Sequence, residues 1–315
     1  MDFGKVDTDE LQRIDFSLPA DGEQTALTLS GKPAAKTPAF YVGCAKWGRK
    51  EWVNMIYPPK TKEANFLDEY VKHFNAIELN AVFYSLPKPE QIRKWKEKAA
   101  LNSRNGFLFC PKFSQSITHM KRLKGAEEVT DVFLSGISEF GEYLGPCFLQ
   151  MGDNFGPKNK DVLTSYLESL PADLSMFVEL RNPEWFSQES NRKPLFEGLA
   201  RLNKGAAITD ASGRRDVIHM ELTIPEVFIR FVGNGAEFKA SDEARIDEWV
   251  KRLKIWLDHG LEKVYFFLHQ HDEKDTPIIA NYTIKAFNKH LGSKIPEINF
   301  LSGKDGEITK DPQLF

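Results

Sequence analysis

Eight short apolar runs punctuate this chain, and polar residues recur at their downstream ends. The runs are AFYVGCA, NAIELNAVFY, GFLFCPKF, PCFLQMG, SMFVELR, GAAITD, VFIRFVG and KVYFFLH, and their β-branched and aromatic content marks them as candidate strands. Between them the apolar spacing becomes helical. Phe66, Leu67, Tyr70, Val71 and Phe74 form one stripe, and Ile246, Trp249, Val250, Leu253, Trp256 and Leu257 form another. Ser241 offers the second stripe an N-cap, and Gly260 follows its last apolar residue as a C-terminal stop does. Pro89 opens a third helix carrying Ile92 and Trp95, and further helices are expected across 132–144, 161–170, 194–203 and 276–291. Only 211–226 resists this reading, because Gly213, Pro225 and β-branched residues weaken any helix there.

Strand and helix alternating about eight times predict an α/β fold, a TIM-type (β/α)8 parallel barrel, with an irregular sixth β/α unit. An open sheet of Rossmann type would place G-x-G-x-x-G after its first strand, and the corresponding stretch, GCAKWGRKEW, lacks it. Residues 1–39 pair a short polar leader with a stretch rich in Ala, Thr, Gly, Pro and Lys. They are expected to form an N-terminal arm or linker ahead of a single barrel domain over 40–315.

Alternation within strands tests whether the polar ends converge, since alternate residues share a face. In SMFVELR, Phe177, Glu179 and Arg181 lie on one face, while Met176, Val178 and Leu180 make a wholly apolar face suited to helices. The same split sets Glu78 and Asn80 against Ile77 and Leu79, Arg230 against Ile229 and Phe231, and His269 and His271 against Phe266 and Leu268. Lys112 follows Cys110, Gln150 follows Phe148, and Asp210 follows Ala206 and Ile208. Inward polar residues at the C-terminal ends of barrel strands lie where barrel enzymes place their chemistry. One strand-terminal charge alone would more simply cap a solvated end.

Composition narrows the partners. With 42 basic and 45 acidic residues among 315, the formal net charge of -3 supplies no chain-wide attraction to nucleic acid or an anionic membrane. The three cysteines, Cys44, Cys110 and Cys147, are few, separated and odd in number, which argues against a secreted disulfide framework and for a cytoplasmic location. No segment approaches the roughly 18 apolar residues of a membrane span.

The runs YVGCAKWG, HFNAIELNAVFYSLP, FLFCPKFSQSITHMKRL, LGPCFLQMGDNFG, FVELRNPEWF, ITDASG and IRFVGN, in this order, resemble the domain-of-unknown-function 72 family, also called YecE-like. The most specific pieces are Glu-x-Asn-x-x-Phe-Tyr at Glu78 to Tyr84, Ile-Thr-His at Ile117 to His119, and Glu-x-Arg-x-Pro-x-Trp at Glu179 to Trp185. The resemblance implies a β/α barrel and no established activity. It makes Glu78, Asn80, His119, Glu179 and Arg181 the firmest members of the site. The LHQH ending of the last strand departs from the family pattern, as does the leader before Tyr41.

The chemistry expected of these residues is acid/base work on a small anionic or sugar-like substrate. Glu179 beside Arg181 should stay ionised and is the preferred base, with Glu78 and Asp210 assisting. Lys112, Arg181 and Arg230, with His119, put cations where phosphate or carboxylate oxygens would bind. Asn80, Tyr84, Gln150, Trp185, His269 and His271 complete the expected substrate contacts. His269-x-His271 with the three carboxylates would suffice for a divalent metal, but no compact ligand motif accompanies them, so a metal is not the favoured cofactor. Aromatic residues after the strand ends keep a second reading open, a nucleic-acid or protein-binding module without catalysis, although nucleic acid is not the favoured partner.

Overall fold

The computed structural model describes residues 3–104 and 106–301. Eight strands, β1 (Ala39–Cys44), β2 (Ala76–Leu79), β3 (Leu108–Pro111), β4 (Cys147–Gln150), β5 (Met176–Glu179), β6 (Gly205–Asp210), β7 (Glu226–Gly233) and β8 (Lys263–Gln270), lie in the order β3-β2-β1-β8-β7-β6-β5-β4. All the ladders are parallel. Single bridges from Phe109 to Leu144 and from Lys112 to Phe148 join β3 to β4 and bring the sheet round into a nearly closed barrel.

Two apolar layers follow from strand alternation. Val42, Ile77, Leu149, Val178, Ile208, Ile229 and Phe266 face outward into one continuous core with the helices. Ala76, Cys110, Phe148, Phe177, Ala207, Phe228, Tyr265 and Phe267 fill the interior. Phe228 is central there, its ring centroid 5.3 Å from Phe148, 5.2 Å from Phe177 and 4.8 Å from Phe267. So many rings demand small neighbours: a Cβ on Gly205 would come within 2.2 Å of the Phe177 ring. This dry aromatic floor lies below the polar strand ends, and low polarisability beneath charges strengthens their mutual attraction.

Helices cross between successive strands at Phe66–Tyr70, Pro89–Asn102, Glu127–Ser138, Lys160–Ser169, Glu189–Arg201 and Lys239–Asp258, and Thr276–Leu291 follows β8. Between β6 and β7 there is no α-helix, only a 3-10 turn at Arg215–Val217. The helix Glu23–Leu29 of the N-terminal segment takes that place. Thr25 Oγ1 donates to Met220 O at 2.8 Å and accepts from Leu222 N at 2.7 Å, and Thr28 Oγ1 donates to Leu222 O at 2.7 Å. Lys193 pairs with Glu23 at 3.2 Å on one side, while Trp256 Nε1 donates to Asp21 at 3.1 Å on the other. The chain approaches so closely that a Cβ on Gly22 would lie 2.1 Å or less from three atoms of the Glu221 carboxylate. No helix among the described residues is long and apolar enough to cross a membrane.

Candidate functional site

The strand ends converge on a buried guanidinium. Arg230, on the inward face of β7, donates Nε to Glu78 Oε2 and Nη2 to Glu78 Oε1, both at 2.8 Å, and Nη1 to Glu179 Oε2 at 2.7 Å. Glu78 comes from β2 across the barrel and Glu179 from β5. Asn80 Nδ2 adds a bond to Glu78 Oε1 at 2.9 Å, and His269 Nε2 from β8 lies 3.0 Å from Oε2. The other oxygen of Glu179 accepts from Arg181 Nε at 2.8 Å. Lys112, just past β3, donates Nζ to Gln150 Oε1 at 2.7 Å and sits 4.2 Å from the centroid of the Phe83 ring.

Burial and charge together set the protonation states. Burial raises the carboxyl pKa of Glu78, but Arg230 and then His269 more than offset it and hold the group well below its ordinary range. Burial likewise opposes ionisation of Glu179, and Arg181, Arg230 and Lys112 outweigh it, bringing the pKa from 4.5 to about 2. Lys112 moves the other way among cations: burial and then the Arg230 charge lower its pKa from 10.5 to about 8, against the pull of Glu179 and Glu78. His119, exposed at the rim, has a lowered pKa through partial desolvation, with Lys112 and Arg181 adding to it.

Three cations, Arg230, Arg181 and Lys112, thus face two carboxylates. Arg181 Nη2, His269 Nδ1 and Thr209 Oγ1 are buried without a protein hydrogen-bond partner. All three belong to residues at the inner strand ends. The carboxylate oxygens, by contrast, already accept from guanidinium, amide or lie against imidazole nitrogen. Among the described residues no group of three or more His, Cys, Asp or Glu is arranged to hold a metal ion.

Not every residue expected here arrives. Alternation assigns Asp210 to the inner face, but its side chain shares the outer face with Ala206 and Ile208. It accepts from Arg245 Nη2 at 2.7 Å and Trp249 Nε1 at 2.8 Å, and it also pairs with Arg215. Burial works against its ionisation, and Arg245 and Arg215 still keep its pKa below the ordinary value. Thr209 is the β6 residue that turns inward, in register with Arg230. Both faces of GAAITD carry small or apolar residues, so alternation had no contrast to read there.

Trp185 is fully buried and donates Nε1 to Phe155 O at 2.7 Å, which makes it a brace of the loop after β5. Tyr84 is 71% exposed beside the mouth. His271 lines a separate cleft with Lys5, Asn234 and Lys274. Two residues that the sequence pattern did not single out also reach the rim. Arg214 Nη2 donates to Arg181 O, and Phe3 places its ring 3.8 Å from the Arg181 guanidinium carbon and 4.8 Å from that of Arg214. The consecutive arginines after ITDASG were a local signal; Phe3, in a polar leader, carried none.

Comparison with known proteins agrees with this architecture. The chain is 28% identical over 277 residues to the UPF0759 protein YecE of Escherichia coli K12, covering 82% of this chain and 95% of that protein. A second relative, the UPF0759 protein YunF of Bacillus subtilis, matches at 28% identity over 47% of this chain and 52% of its own length. Among solved structures, a DUF72 family protein of Enterococcus faecalis superposes with a TM-score of 0.61 at 19% identity, covering 81% of this chain and 99% of that one. One from Thermotoga maritima gives 0.57 at 22% identity, covering 81% and 100%. The family model described as protein of unknown function DUF72 matches residues 41–299, and the chain belongs to that family.

Proposed function

We propose that this is a cytoplasmic protein whose strand-end chamber binds a small anionic or sugar-like molecule and performs acid/base chemistry on it. The observation that carries the reading is Arg181 Nη2, buried without a protein acceptor beside a cluster of strand-end charges in which cations outnumber carboxylates. A donor left unpaired in a buried site is costly, so a ligand with acceptor oxygens gains by meeting it. Phosphate and carboxylate groups have that chemistry, and sugar hydroxyls share part of it. The three cysteines are free and buried, which suits a reducing compartment.

The roles follow from the charges. Glu78 and Glu179 are locked by guanidinium into the anionic form, and a carboxylate with a pKa of about 2 is a weak base at neutral pH. Glu179 then serves to orient Arg181 and to stabilise positive charge. Lys112, at about 8, is the group best matched to moving a proton near neutrality. Calorimetric titration with inorganic phosphate, sugar phosphates and small carboxylates tests the proposal. Binding should occur for at least one of them and weaken about tenfold in Arg181→Gln, the loss expected of one charge-assisted hydrogen bond. Failure of every compound to bind would remove this reading.

A second reading, a binding module without catalysis, draws support from the exposed Tyr84, His119 and Met120 beside the mouth. Oligonucleotide affinity that falls steeply with salt would favour it.

A further inference from the structure

The N-terminal arm consists of two halves held in different ways. Residues 21–29 are anchored by backbone and hydroxyl bonds to the β6–β7 connection, including Gly22 N to Met220 O at 3.0 Å and Gln24 N to Glu221 Oε2 at 3.0 Å. Residues 3–17 run over the loops that follow β5, β6, β7 and β8 with far less support. Leu11 is the sole buried residue between 3 and 20, and the helix Thr8–Leu11 is a single turn. This half lines a cleft of about 820 Å³ together with the loop at 212–216, and another of about 380 Å³ together with the loops after β7 and β8.

What fastens the loose half is selective. Gly213 N donates to Gly4 O at 2.8 Å, and Arg215 Nη2 donates to Phe16 O at 3.2 Å and Ser17 O at 3.1 Å. Both phenylalanines of this half lie on arginines. Phe3 covers Arg181 and Arg214, and Phe16 lies 5.5 Å from Arg215 and 4.9 Å from Arg245. The geometry at Arg181 is informative. Its face is against the Phe3 ring, its Nε is committed to Glu179, and its Nη2 edge stays buried and unpaired. Phe3 therefore shields the guanidinium from water without consuming the donor that a ligand would use. Excluding water in this way strengthens the hydrogen bonds made inside.

We infer that residues 3–17 are a lid over the strand-end chamber, with Phe3 as a positioning residue that closes on Arg181 and Arg214 and tightens the chamber's grip on a bound oxyanion. A segment with little buried apolar surface opens at low cost, while the anchored helix Glu23–Leu29 keeps it tethered. The family match begins at residue 41, so the lid is an addition to the shared barrel. The ligand part of this inference rests on the reading of the chamber as an anion site.

Arginine-selective labelling with phenylglyoxal, mapped by mass spectrometry on the full chain, tests the lid without any ligand. Phe3→Ala should speed modification of Arg181 and Arg214 about fivefold, the factor set by losing one cation–π contact. Arg201, 61% exposed on an outer helix, should be unchanged, and Phe3→Trp should restore protection. Equal rates at Arg181 in the parent and Phe3→Ala would overturn the lid. With inorganic phosphate as the probe, Phe3→Ala should bind more weakly than the parent. Tighter binding would overturn the closing role and make Phe3 a competitor instead. If phosphate binds neither protein, the anion reading of the chamber fails with the tightening role, and the labelling alone still decides whether the arm is a lid.

Discussion

Arg230 and Glu78 meet through two parallel hydrogen bonds of 2.8 Å, and neither side chain has any exposed surface. A pair this deep costs a great deal to desolvate, so its value lies less in net stability than in fixing where charge sits. Arg230 then carries that placement on to Glu179, which carries it on to Arg181 at the rim.

Removing the hub should be severe. Arg230→Met leaves two buried carboxylates without their shared partner and should cost about 3–5 kcal/mol of stability in urea denaturation. Replacing Glu78, Glu179 and Arg230 together with Leu, Leu and Met should recover part of that loss, because no unpaired carboxylate is then left inside, although Arg181 and Lys112 keep their charges without Glu179. A triple variant as unstable as the single would refute this account.

The acid limb of stability should report on Glu179. Its folded pKa of about 2 lies below its ordinary 4.5, so its contribution is fully present above about pH 4.5 and is lost as pH falls toward about 2. Urea denaturation across that range should show a steeper fall for the parent than for Glu179→Gln. Parallel curves would argue against the depressed value.

Lys112 carries the opposite linkage. The unfolded chain keeps its proton up to about 10.5, whereas the folded protein releases it near 8. Between these limits the unfolded state binds more protons, so this group makes stability rise with pH. Amine labelling resolved at Lys112 should therefore show a midpoint near 8, and Arg181→Gln should move it upward by removing a neighbouring cation. A midpoint near 10.5 in the parent would contradict the site electrostatics.

Asp210 separates structural from functional charge. Asp210→Asn weakens the attachments of Arg245, Arg215 and Trp249 and should cost on the order of 3 kcal/mol. Its carboxylate lies on the far face of β6 from Arg230 and reaches the site only through Arg215 and the arm it fastens, so phosphate affinity measured by calorimetry should fall no further than in Phe3→Ala. A large loss of affinity in a folded Asp210→Asn protein would place Asp210 in the chamber after all.

The fold was legible because a half-polar strand end announces its own facing. Phe177, Glu179 and Arg181 against Met176, Val178 and Leu180 is unambiguous, and Arg230 against Ile229 and Phe231 is equally so. β6 was not legible, since Ala206 and Ile208 differ too little from Ala207 and Thr209 for alternation to decide. Trp185 shows another limit: a tryptophan after a strand end reads as a ligand platform, but its indole nitrogen had a carbonyl 30 residues away to satisfy. The arm's role was hidden altogether, because Phe3 and Thr25 acquire meaning only from partners around 180–220 that a local pattern does not contain.

The replacement of the sixth outer helix by Glu23–Leu29 separates chain order from spatial order. Thr25 and Met220 bond across 195 residues of sequence, so the first helix-forming stretch after the leader waits for the sixth strand and its irregular connection before it can dock. During synthesis from the N-terminus, the ring of outer helices stays open at that point until the β6–β7 segment emerges. The arm therefore closes the barrel late in assembly although it is made early, and the tether that holds it over the mouth exists only in a barrel that has already formed.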